Sequence, residues 1–484
     1  MTKSGRDADT KKPSQNDQFF NPDDIALAIL LDYTFDPEPN EAPSKRSLNK
    51  GRYTLASWRQ DFYQWDVGRW FKVSDSEIDL RIAKHLQAHN EGLDVSMGQA
   101  PKVTIGRNLI NNVRLCLAAR VLRPETRPLN VWDNIEQDAI ITLSMKNGLL
   151  VLRQSSRAEL IPHTPDYFTL VRLPYDYDPA GECPLWQAFL RDVMLKRVDY
   201  ILLLQQWLGY LLRPDLRLQK FLLCVGEGAN GKTVFSEVVQ SLAGIENCSQ
   251  VPIARFDNPF ALIGTLGKIL NVTTEGVGLI EELAETTLKS FTSGDRMTFE
   301  RKFRDAVSDV PTAKVMICTN DLPRFNDKSQ AIWRRILLVP FNKTIPDEVQ
   351  IKDLAEQLKS ELPGILDWAI EGLQNLNAAG RFTMPADSKV MLEEYRRDAN
   401  PARTYLLENY QPTNNGEYVL CETLYREYAA WCKDRNYHPL SDRSFGKEVR
   451  RAFPDVERKR TGGRDAREWA YDGLVSYVSQ VIPI

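Results

Sequence analysis

Cysteine and histidine are scarce in this sequence, and their spacing excludes two common kinds of cross-linked domain. The 484 residues include seven cysteines and four histidines, and no two cysteines form a C-x-x-C pair. An odd number of widely spaced cysteines argues against a disulfide framework and a zinc site, and favours a reducing cytoplasm. His85 and His89 could hold a metal ion, but no nearby cysteine or further histidine completes such a site. We therefore interpret both as exposed residues of a polar helix.

A large excess of charge and a long apolar run are absent as well. The formal net charge is −3, so any nucleic-acid binding must come from local basic patches. The longest apolar run, residues 200–212, contains Gln205 and Gln206 and is too short to span a bilayer, which predicts a buried helix. The N-terminus is polar and lacks the apolar core of a signal peptide. The sequence therefore predicts no membrane or targeting segment and a cytoplasmic location.

Length and composition predict a globular protein of several domains. Hydrophobic residues make up 43% and charged residues 26% of the chain, whose length suggests about three domains. The predicted order is a disordered tail (1–18), an N-terminal mixed α/β domain (19–189), an α/β core (190–345), a helical extension (346–411) and a small C-terminal domain (412–484). Aromatic residues of the N-terminal domain could stack on bases, but their mixture with aliphatic residues favours a hydrophobic core. These aromatic residues are Trp58, Phe62, Tyr63, Trp65 and Trp70.

Short apolar strands alternate with helices in the central part of the chain. Residues 221–225, 269–273 and 314–319 are such strands, separated by helical segments and by polar or glycine-rich loops. This alternation predicts an α/β domain around a mostly parallel sheet. Beyond it, apolar residues at helical spacing predict a helix over residues 351–377 and a further helix over residues 392–410.

Residues 226–233 carry the most specific motif, Gly-Glu-Gly-Ala-Asn-Gly-Lys-Thr, which matches the phosphate loop G-x-x-x-x-G-K-[ST] in full. An apolar strand precedes it and an apolar-periodic helix follows it, which is the context that the motif requires. Backbone N–H groups would face the phosphates, Lys232 would reach the β- and γ-phosphates, and Thr233 would ligate Mg²⁺. The sequence thus predicts ATP and Mg²⁺ as cofactors. The predicted ATP-binding residues are Gly226, Glu227, Gly228, Ala229, Asn230, Gly231, Lys232, Thr233 and Val234.

An ATPase also needs an acid on a neighbouring strand, which holds Mg²⁺ and polarises the attacking water. The strand of residues 269–273 is followed by Thr274, where the aspartate of a Walker B motif is expected, and then by Glu275. We assign Glu275 as the residue that polarises water and contacts the metal. Glu281 and Glu282 are the alternative, but the helical pattern after them favours a helix start.

Two further positions complete the predicted catalytic set. Asn320 follows the strand of residues 314–319, where its amide can sense the γ-phosphate or position water, although asparagine before a turn is common for local reasons. Arg334 and Arg335 precede an apolar strand, and an arginine there could project into the ATP of a neighbouring subunit as an arginine finger. The predicted catalytic residues are Lys232, Glu275, Asn320, Arg334 and Arg335.

In this order and spacing the motifs resemble those of the superfamily 3 helicases, specifically the poxvirus-type and phage or plasmid primase-associated group. The resemblance also includes residues 292–295 (Thr-Ser-Gly-Asp) and extends outward to residues 147–148, 175–176, 183–186 and 361–368. It implies an AAA+-like P-loop ATPase core that assembles into a ring, usually a hexamer, with ATP bound between subunits. By its position relative to the end of its strand, Arg335 matches the family's finger better than Arg334. Many such proteins carry a primase domain upstream, and we expect that a primase would here be a separate partner.

In this family a hairpin between the acidic strand and the asparagine strand points into the channel of the ring. Here that interval places basic residues on both sides of Phe303, which suits a phosphate contact with optional stacking. Arg301, Lys302 and Arg304 are the predicted DNA contacts, with Lys302 first. As a bare run of charge, the same segment would be a solvated turn.

The C-terminal domain carries a second basic cluster. Residues 441–453 predict a helix and residues 456–471 a hairpin. This combination resembles a winged helix, in which the helix enters a groove of DNA and the wing grips phosphates. The alternative is a small interaction module with a solvated basic face. The predicted DNA-binding residues of this cluster are Arg450, Arg458, Lys459, Arg460 and Arg464.

Together these patterns predict an ATP-dependent DNA helicase of a phage, plasmid or other mobile element, acting on single-stranded DNA at a replication fork or origin. Three alternatives are a non-helicase AAA+ ATPase, a non-enzymatic replication initiator that binds an origin, and a metabolic P-loop kinase. The departure at Thr274 leaves room for the initiator. The two basic clusters argue against the kinase, which has no use for either.

Overall fold

The structure is a computed structural model that describes residues 21–35, 52–92, 102–133, 140–153, 158–274, 278–325, 331–461 and 467–477. The predicted disordered tail, residues 1–18, lies outside the described residues. The described elements form an N-terminal region of small antiparallel sheets, a central parallel sheet flanked by helices, and a C-terminal module of helices and short strands. In the part of the chain that the structure describes, no helix combines the length and the apolar character that a membrane span requires.

The N-terminal region packs three helices against short antiparallel strands. Its helices are α1 (Pro22–Leu31), α2 (Asp75–Gly92) and α3 (Arg107–Arg120), and its strands are β1 (Thr34–Phe35), β2 (Arg52–Tyr53), β3 (Leu55–Trp58), β4 (Asp61–Asp66), β5 (Arg69–Val73), β6 (Val131–Trp132), β7 (Ile140–Ser144), β8 (Leu149–Arg153), β9 (Glu159–Ile161) and β10 (Tyr167–Phe168). Strands β3, β4 and β5 form one sheet and β7, β8 and β9 another. Trp58, Tyr63 and Trp70 are buried together with Phe168. The interpretation of these aromatic residues as core is therefore confirmed.

The central region has the predicted parallel sheet. Its helices are α4 (Pro184–Val193), α5 (Val198–Leu211), α6 (Lys232–Ala243), α7 (Pro259–Leu262) and α8 (Glu282–Ser293), and its strands are β11 (Phe221–Val225), β12 (Cys248–Ser249), β13 (Leu270–Thr273), β14 (Met297–Arg301), β15 (Arg304–Asp309), β16 (Lys314–Thr319) and β17 (Ile336–Pro340). Five strands form one parallel sheet in the order β12-β13-β16-β11-β17. Strands β14 and β15 form a separate antiparallel hairpin.

The sheet separates two hydrophobic cores, because successive side chains of a strand point to opposite faces. In β11, Leu222 and Cys224 belong to the core shared with α5 and α6. Phe221 and Leu223 belong to the core shared with α8. A strand that is buried on both faces is apolar without alternation, as is typical of parallel sheets covered by helices. This explains why the apolar runs of β11 and β16 predicted their bounds correctly.

Beyond the sheet, each of the two long predicted helices is divided in two. The first comprises α9 (Leu354–Lys359) and α10 (Leu362–Ala379), and the second comprises α11 (Ala386–Ala399) and α12 (Pro401–Asn409). The second break has a local cause. Asn400 precedes a proline, which disfavours helical backbone at that position, and its side chain accepts a hydrogen bond from the N–H of Arg403 at 3.1 Å.

Helices α5 and α10 cross at two glycines. A Cβ added at Gly372 would overlap the carbonyl group of Gln205, and one added at Gly209 would overlap the backbone of Leu373. The polar side chains of the buried helix α5 also find partners there, since Gln205 donates to the carbonyl of Trp368 at 3.0 Å. The predicted buried helix over residues 200–212 is thus confirmed, and its two glutamines do not prevent burial because they are hydrogen-bonded.

The C-terminal module joins two helices and two small antiparallel sheets. Its elements are β18 (Tyr410–Pro412), β19 (Tyr418–Leu420), α13 (Cys421–Asp434), α14 (Asp442–Ala452), β20 (Glu457–Thr461), β21 (Glu468–Asp472) and β22 (Leu474–Ser476). The predicted helix and hairpin are present as α14 and as the antiparallel pair β20 and β21. The rings of Tyr428 and Phe445 stack with centroids 4.2 Å apart at the centre of the module. Ala402 and Leu406 of α12 are buried in the same core, so the packing of this module begins before residue 412.

We expect Gly372→Ala to lower the free energy of unfolding by about 1–3 kcal/mol, because the methyl group forces α5 and α10 apart. This loss opposes the gain in helix propensity that alanine brings elsewhere. Chemical denaturation measures the change. Gly92→Ala is the matched control at the exposed end of α2, where an added Cβ meets nothing within 4 Å. Equal stability of both variants would contradict the close approach of the two helices.

Candidate nucleotide site and basic surfaces

The phosphate loop connects β11 to α6 and is shaped by two residues with positive φ. Ala229 has φ 54° and Gly231 has φ 87°. A Cβ at Gly231 would lie 2.8 Å from Cγ1 of Val193, so this position requires glycine for its conformation and for space. Gly231 is also the N-cap of α6 and has no side chain to cap it, while Oδ1 of Asn230 accepts from the N–H of Lys232 at 3.3 Å. The positive end of α6 therefore faces the loop, as an anion-binding site requires.

Lys232 is held across the loop by oxygen acceptors. Its Nζ donates to the carbonyl of Gly226, to the carbonyl of Glu227 at 3.3 Å and to Oδ1 of Asn230 at 3.1 Å. Burial lowers the pKa of Lys232. Asn230 in turn donates from Nδ2 to the carbonyl of Phe341 at 3.1 Å, which ties the loop to the segment after β17. The loop thus has a defined shape, with an ammonium group surrounded by oxygens that phosphate oxygens can replace.

A cavity of about 600 Å³ lies beside the loop and brings the predicted motifs together. Thr233, Thr274 and Asn320 line it with Lys232, because the carboxyl ends of parallel strands meet at the same edge of a sheet. Gly226 and Glu227 do not line it and contribute carbonyls to Lys232 instead. The other predicted ATP-binding residues on its wall are Gly228, Ala229, Asn230, Gly231 and Val234. Its volume suits a ligand of nucleotide size.

Of the two candidates for the catalytic acid, Glu275 and the pair Glu281 and Glu282, the structure describes only the pair. Glu275 lies outside the described residues. Glu281 is the N-cap of α8 and Glu282 is its first residue, both are exposed, and neither is among the residues that line the cavity. The interpretation of this pair as a helix start is therefore confirmed. Thr274 lines the cavity at the end of β13, where its hydroxyl group is available to a water molecule.

Arg334 and Arg335 have opposite surroundings. Arg335 is 5% exposed and donates to Oγ of Ser293 and to the carbonyl of Ala331 in its own chain. Arg334 is exposed, and its carbonyl accepts from Lys220. The preference for Arg335 as a residue that reaches a neighbouring subunit is thus not supported. The physical reason is that the short helical turn before β17 directs its second arginine inward, onto the end of α8.

The three predicted DNA contacts of the hairpin of β14 and β15 are of two kinds, one exposed and two held in ion pairs. Lys302 and Phe303 are exposed at the tip, where Phe303 has φ 59°. Arg301 and Arg304 instead form ion pairs with Asp61 of β4, the first at 2.9 Å. The two arginines are therefore committed to the N-terminal region, which sequence reasoning missed because their partner lies about 240 residues earlier in the chain.

The basic cluster of the C-terminal module lies on its surface. Arg450 is exposed on α14, and the guanidinium groups of Arg458 and Arg460 lie 4.7 and 5.0 Å from the ring of Trp469. Lys459 is paired with Glu457 and Asp472 at 2.9 Å each, and these hydrogen bonds raise the pKa of Lys459. Arg464 lies outside the described residues. Sequence reasoning missed Trp469, although the register that pairs it with Arg460 follows from the hairpin.

Further cavity residues carry no motif and were not predicted. Phe189 and Val193 come from α4, Val349 and Ile351 come from the segment between β17 and α9, and Leu354 is the first residue of α9. They give one end of the cavity an apolar wall. No sequence signal identifies them, because two elements far apart in sequence build that wall by packing against each other.

Three family models match separate parts of the chain. The model "D5 N terminal like" matches residues 57–195, a family of unknown function (DUF5906) matches residues 224–335, and the model "RFX DNA-binding domain" matches residues 399–477. The second range runs from β11 to Arg335 and so contains the phosphate loop and the cavity's strand ends. The third range contains α12 and the C-terminal module, in agreement with their shared core.

Curated relatives match parts of the chain as well. "Putative helicase 184R" of Invertebrate iridescent virus 6 is 26% identical over 255 residues, which are 48% of this chain and 25% of that protein. "DNA-binding protein RFX7" of Xenopus laevis is 38% identical over 53 residues, which are 11% of this chain and 4% of that protein. "Uncharacterized mitochondrial protein ymf21" of Marchantia polymorpha is 30% identical over 108 residues, which are 20% of this chain and 60% of that protein. The chain thus spans less than two thirds of the length of each of these relatives.

Among solved structures, two apo structures of the C-terminal region (305–718) of NrS-1 are similar in fold. Each has a TM-score of 0.50, the sequence identities are 10% and 11%, and the alignments cover 86% and 87% of this chain and 96% of the NrS-1 region. At this identity the likeness concerns the fold alone. In sequence, the chain is similar to the D5 N terminal like family and to a putative viral helicase.

Proposed function

We propose that this chain is an ATP-driven DNA motor of the superfamily 3 type, with an AAA+-like core that hydrolyses ATP and moves along single-stranded DNA during replication of a mobile element. The observation that carries the proposal is the convergence of Lys232, Thr233, Thr274 and Asn320 on one cavity at the carboxyl edge of a parallel sheet. The strand order, with the phosphate-loop strand between the Asn320 strand and β17, supports an AAA+-like core.

In this proposal the loop binds the triphosphate and the strand ends prepare the water molecule. Lys232 exchanges its carbonyl acceptors for β- and γ-phosphate oxygens, and the N–H groups at the start of α6 bind the same oxygens. Asn320 and Glu275 orient the attacking water. Thr233 offers an exposed hydroxyl group to Mg²⁺, which neutralises phosphate charge when bound. Thr274 has no carboxylate, and in this proposal its hydroxyl group bonds a metal-bound water.

Among the described residues that line the cavity, Lys232 is the only cation. A ring of subunits, in the proposal a hexamer, places the surface of the next subunit there. Arg334 is the exposed member of the arginine pair and is the finger that we propose, while Arg335 holds the turn through Ser293. This assignment replaces Arg335, which its position in the sequence favoured as the finger.

DNA contacts divide in the proposal between two regions. Lys302 and Phe303 at the hairpin tip contact a single strand, by charge and by stacking. Arg450, Arg458 and Arg460 contact duplex DNA through a winged-helix-like module, which the match to the RFX DNA-binding model supports. A primase is, in this proposal, a separate protein that acts beside the motor.

A replication initiator that binds origin DNA is a second candidate, favoured by the same RFX match and by the similarity to RFX7. The two functions differ in what stimulates hydrolysis. A motor is stimulated by single-stranded DNA of any sequence, whereas an initiator binds a particular duplex and needs no turnover to do so. ATP hydrolysis measured with each kind of DNA separates them.

Lys232→Ala is expected to lower DNA-stimulated ATP hydrolysis by at least about a hundredfold, because the charge that stabilises the transferring phosphate is lost. Steady-state phosphate release measures the effect. Binding of duplex DNA should be unchanged, because the proposed duplex contacts lie on the C-terminal module and not on the loop. A variant that hydrolyses ATP like the unmodified protein would refute the site.

Arg334→Ala is expected to slow hydrolysis by about a thousandfold without weakening nucleotide binding, since a finger acts on the transition state of the neighbouring site. Mixing this variant with Lys232→Ala tests the arrangement in trans. Each interface that joins an intact Lys232 to an intact Arg334 should recover activity. Arg335→Ala is the matched control, which we expect to lower stability because Arg335 is buried. Inactive mixtures would exclude an interface site of this kind.

Substitutions at the hairpin tip should weaken binding of single-stranded DNA. Removing the aromatic ring in Phe303→Ala should cost about 1–3 kcal/mol. Lys302→Ala should reduce the slope of log affinity against log salt by about 0.7. Fluorescence anisotropy across a salt series measures both, and Lys389→Ala, an exposed lysine of α11, serves as the control. Unchanged affinity in both tip variants would show that the strand is bound elsewhere.

A further inference from the structure

Asp61 is a buried carboxylate that contacts three basic side chains. It is 3% exposed, and its Oδ2 accepts from Nζ of Lys72 at 2.8 Å and from Nη1 of Arg301 at 2.9 Å. Its Oδ1 accepts from Arg304. Two of these three partners belong to the hairpin of β14 and β15, so the carboxylate joins the N-terminal sheet to the hairpin.

Two further contacts attach the hairpin to the turn of the N-terminal sheet that precedes Asp61. Arg59 pairs with Asp309 at 2.5 Å, and both side chains are at least nine-tenths buried. Gln60 donates to Oδ2 of Asp305 at 2.9 Å. Arg59 and Gln60 form the tight turn between β3 and β4, where both have positive φ. The turn and the first residue of β4 therefore hold the hairpin along its second strand and near its tip.

A two-stranded hairpin by itself is only marginally stable in water, so its orientation depends on what it packs against. Here the support is mostly electrostatic, and its carboxylates Asp61 and Asp309 are buried. Without the negative charge of Asp61, Lys72, Arg301 and Arg304 would repel one another in a partly desolvated site, which is costly. The arrangement leaves Lys302 and Phe303 exposed at the tip of the hairpin.

We propose that Asp61 is a positioning residue for DNA engagement: the N-terminal sheet fixes the hairpin so that Lys302 and Phe303 are presented to a single strand in one geometry. The inference rests on the proposed function and adds a role for the N-terminal region, which acts on DNA through the hairpin without touching it. We call the contacts of Arg59, Gln60 and Asp61 with the hairpin the brace. Arg301 and Arg304 take part in it and do not contact phosphate.

The test uses the full chain and compares Asp61→Asn with Asp66→Asn, an exposed aspartate on the same strand β4. Asp61→Asn should leave basal ATP hydrolysis within about twofold. The increase in ATP hydrolysis that single-stranded DNA causes should fall by about 10- to 100-fold, because misplacing a contact group by about 1 Å has effects of this size. Hydrogen exchange over residues 297–309 should become faster. Asp61→Glu should restore part of the stimulation, and Asp66→Asn should behave like the unmodified protein.

Gln60→Ala provides a second variant, because it removes one brace contact at the surface without leaving a buried charge. It should lower the stimulation of ATP hydrolysis by DNA and speed hydrogen exchange of the hairpin, each by a smaller factor than Asp61→Asn does. Normal stimulation by Asp61→Asn would overturn the inference, and so would tighter binding of single-stranded DNA, which would make Asp61 a competitor of phosphate. If the unmodified protein has no basal ATPase, the proposed function fails, whereas hydrogen exchange in Asp61→Asn still decides whether the brace exists.

Discussion

The pairing of β11 with β16 on one side and with β17 on the other determines where the phosphate loop and Asn320 lie relative to each other. Val225 is in register with Thr319 and with Pro340, so the three strands end at the same level. The loop that leaves β11 is bonded to both neighbours, since the N–H of Gly226 donates to the carbonyl of Thr319 at 3.3 Å and Phe341 donates to the carbonyl of Val225 at 2.7 Å. A slip of one residue would turn each strand's side chains to the other face and separate Asn320 from Lys232.

This constraint explains which parts of the site were predictable from sequence. Parallel strands end at one edge of the sheet, so a motif at the end of one strand predicts the neighbourhood of a motif at the end of another. Asn320 was placed near Lys232 in this way, although the two lie 88 residues apart by their numbers. The apolar wall of Phe189 and Val349 was not found, because its position depends on how α4 and the segment after β17 pack, and no local pattern encodes that packing.

Charge was the least predictable feature, because the sequence shows that an arginine is present but not whether it is exposed. Arg334 and Arg335 are adjacent in sequence, yet one lies on the surface and the other is buried against Ser293. Arg301 and Arg304 appeared as part of a basic run, yet both face Asp61. In each case a partner distant in sequence decided the outcome. A family resemblance transfers the identity of a residue more reliably than its side-chain environment.

Helix α11 connects the two regions that the proposal assigns to ATP and to DNA. Near its start, Oγ of Ser388 donates to the carbonyl of Leu338 in β17 at 2.6 Å. Further along, the hydroxyl of Tyr395 donates to the carbonyl of Pro323, three residues after Asn320. At its end, Nδ2 of Asn400 donates to the buried carboxylate of Glu448 in α14 at 3.0 Å.

Each of these contacts is made by a buried or half-buried side chain, so none is free to adjust independently of its neighbours. The ring of Tyr395 also packs edge-on against that of Trp333, with centroids 4.9 Å apart, immediately before Arg334. A shift of the segment after Asn320 would therefore move one side of α11 against the turn that carries the proposed finger. At its other end the same helix contacts α14 of the C-terminal module through Asn400 and Glu448. The contacts of α11 therefore form a contiguous path between the regions that the proposal assigns to hydrolysis and to DNA.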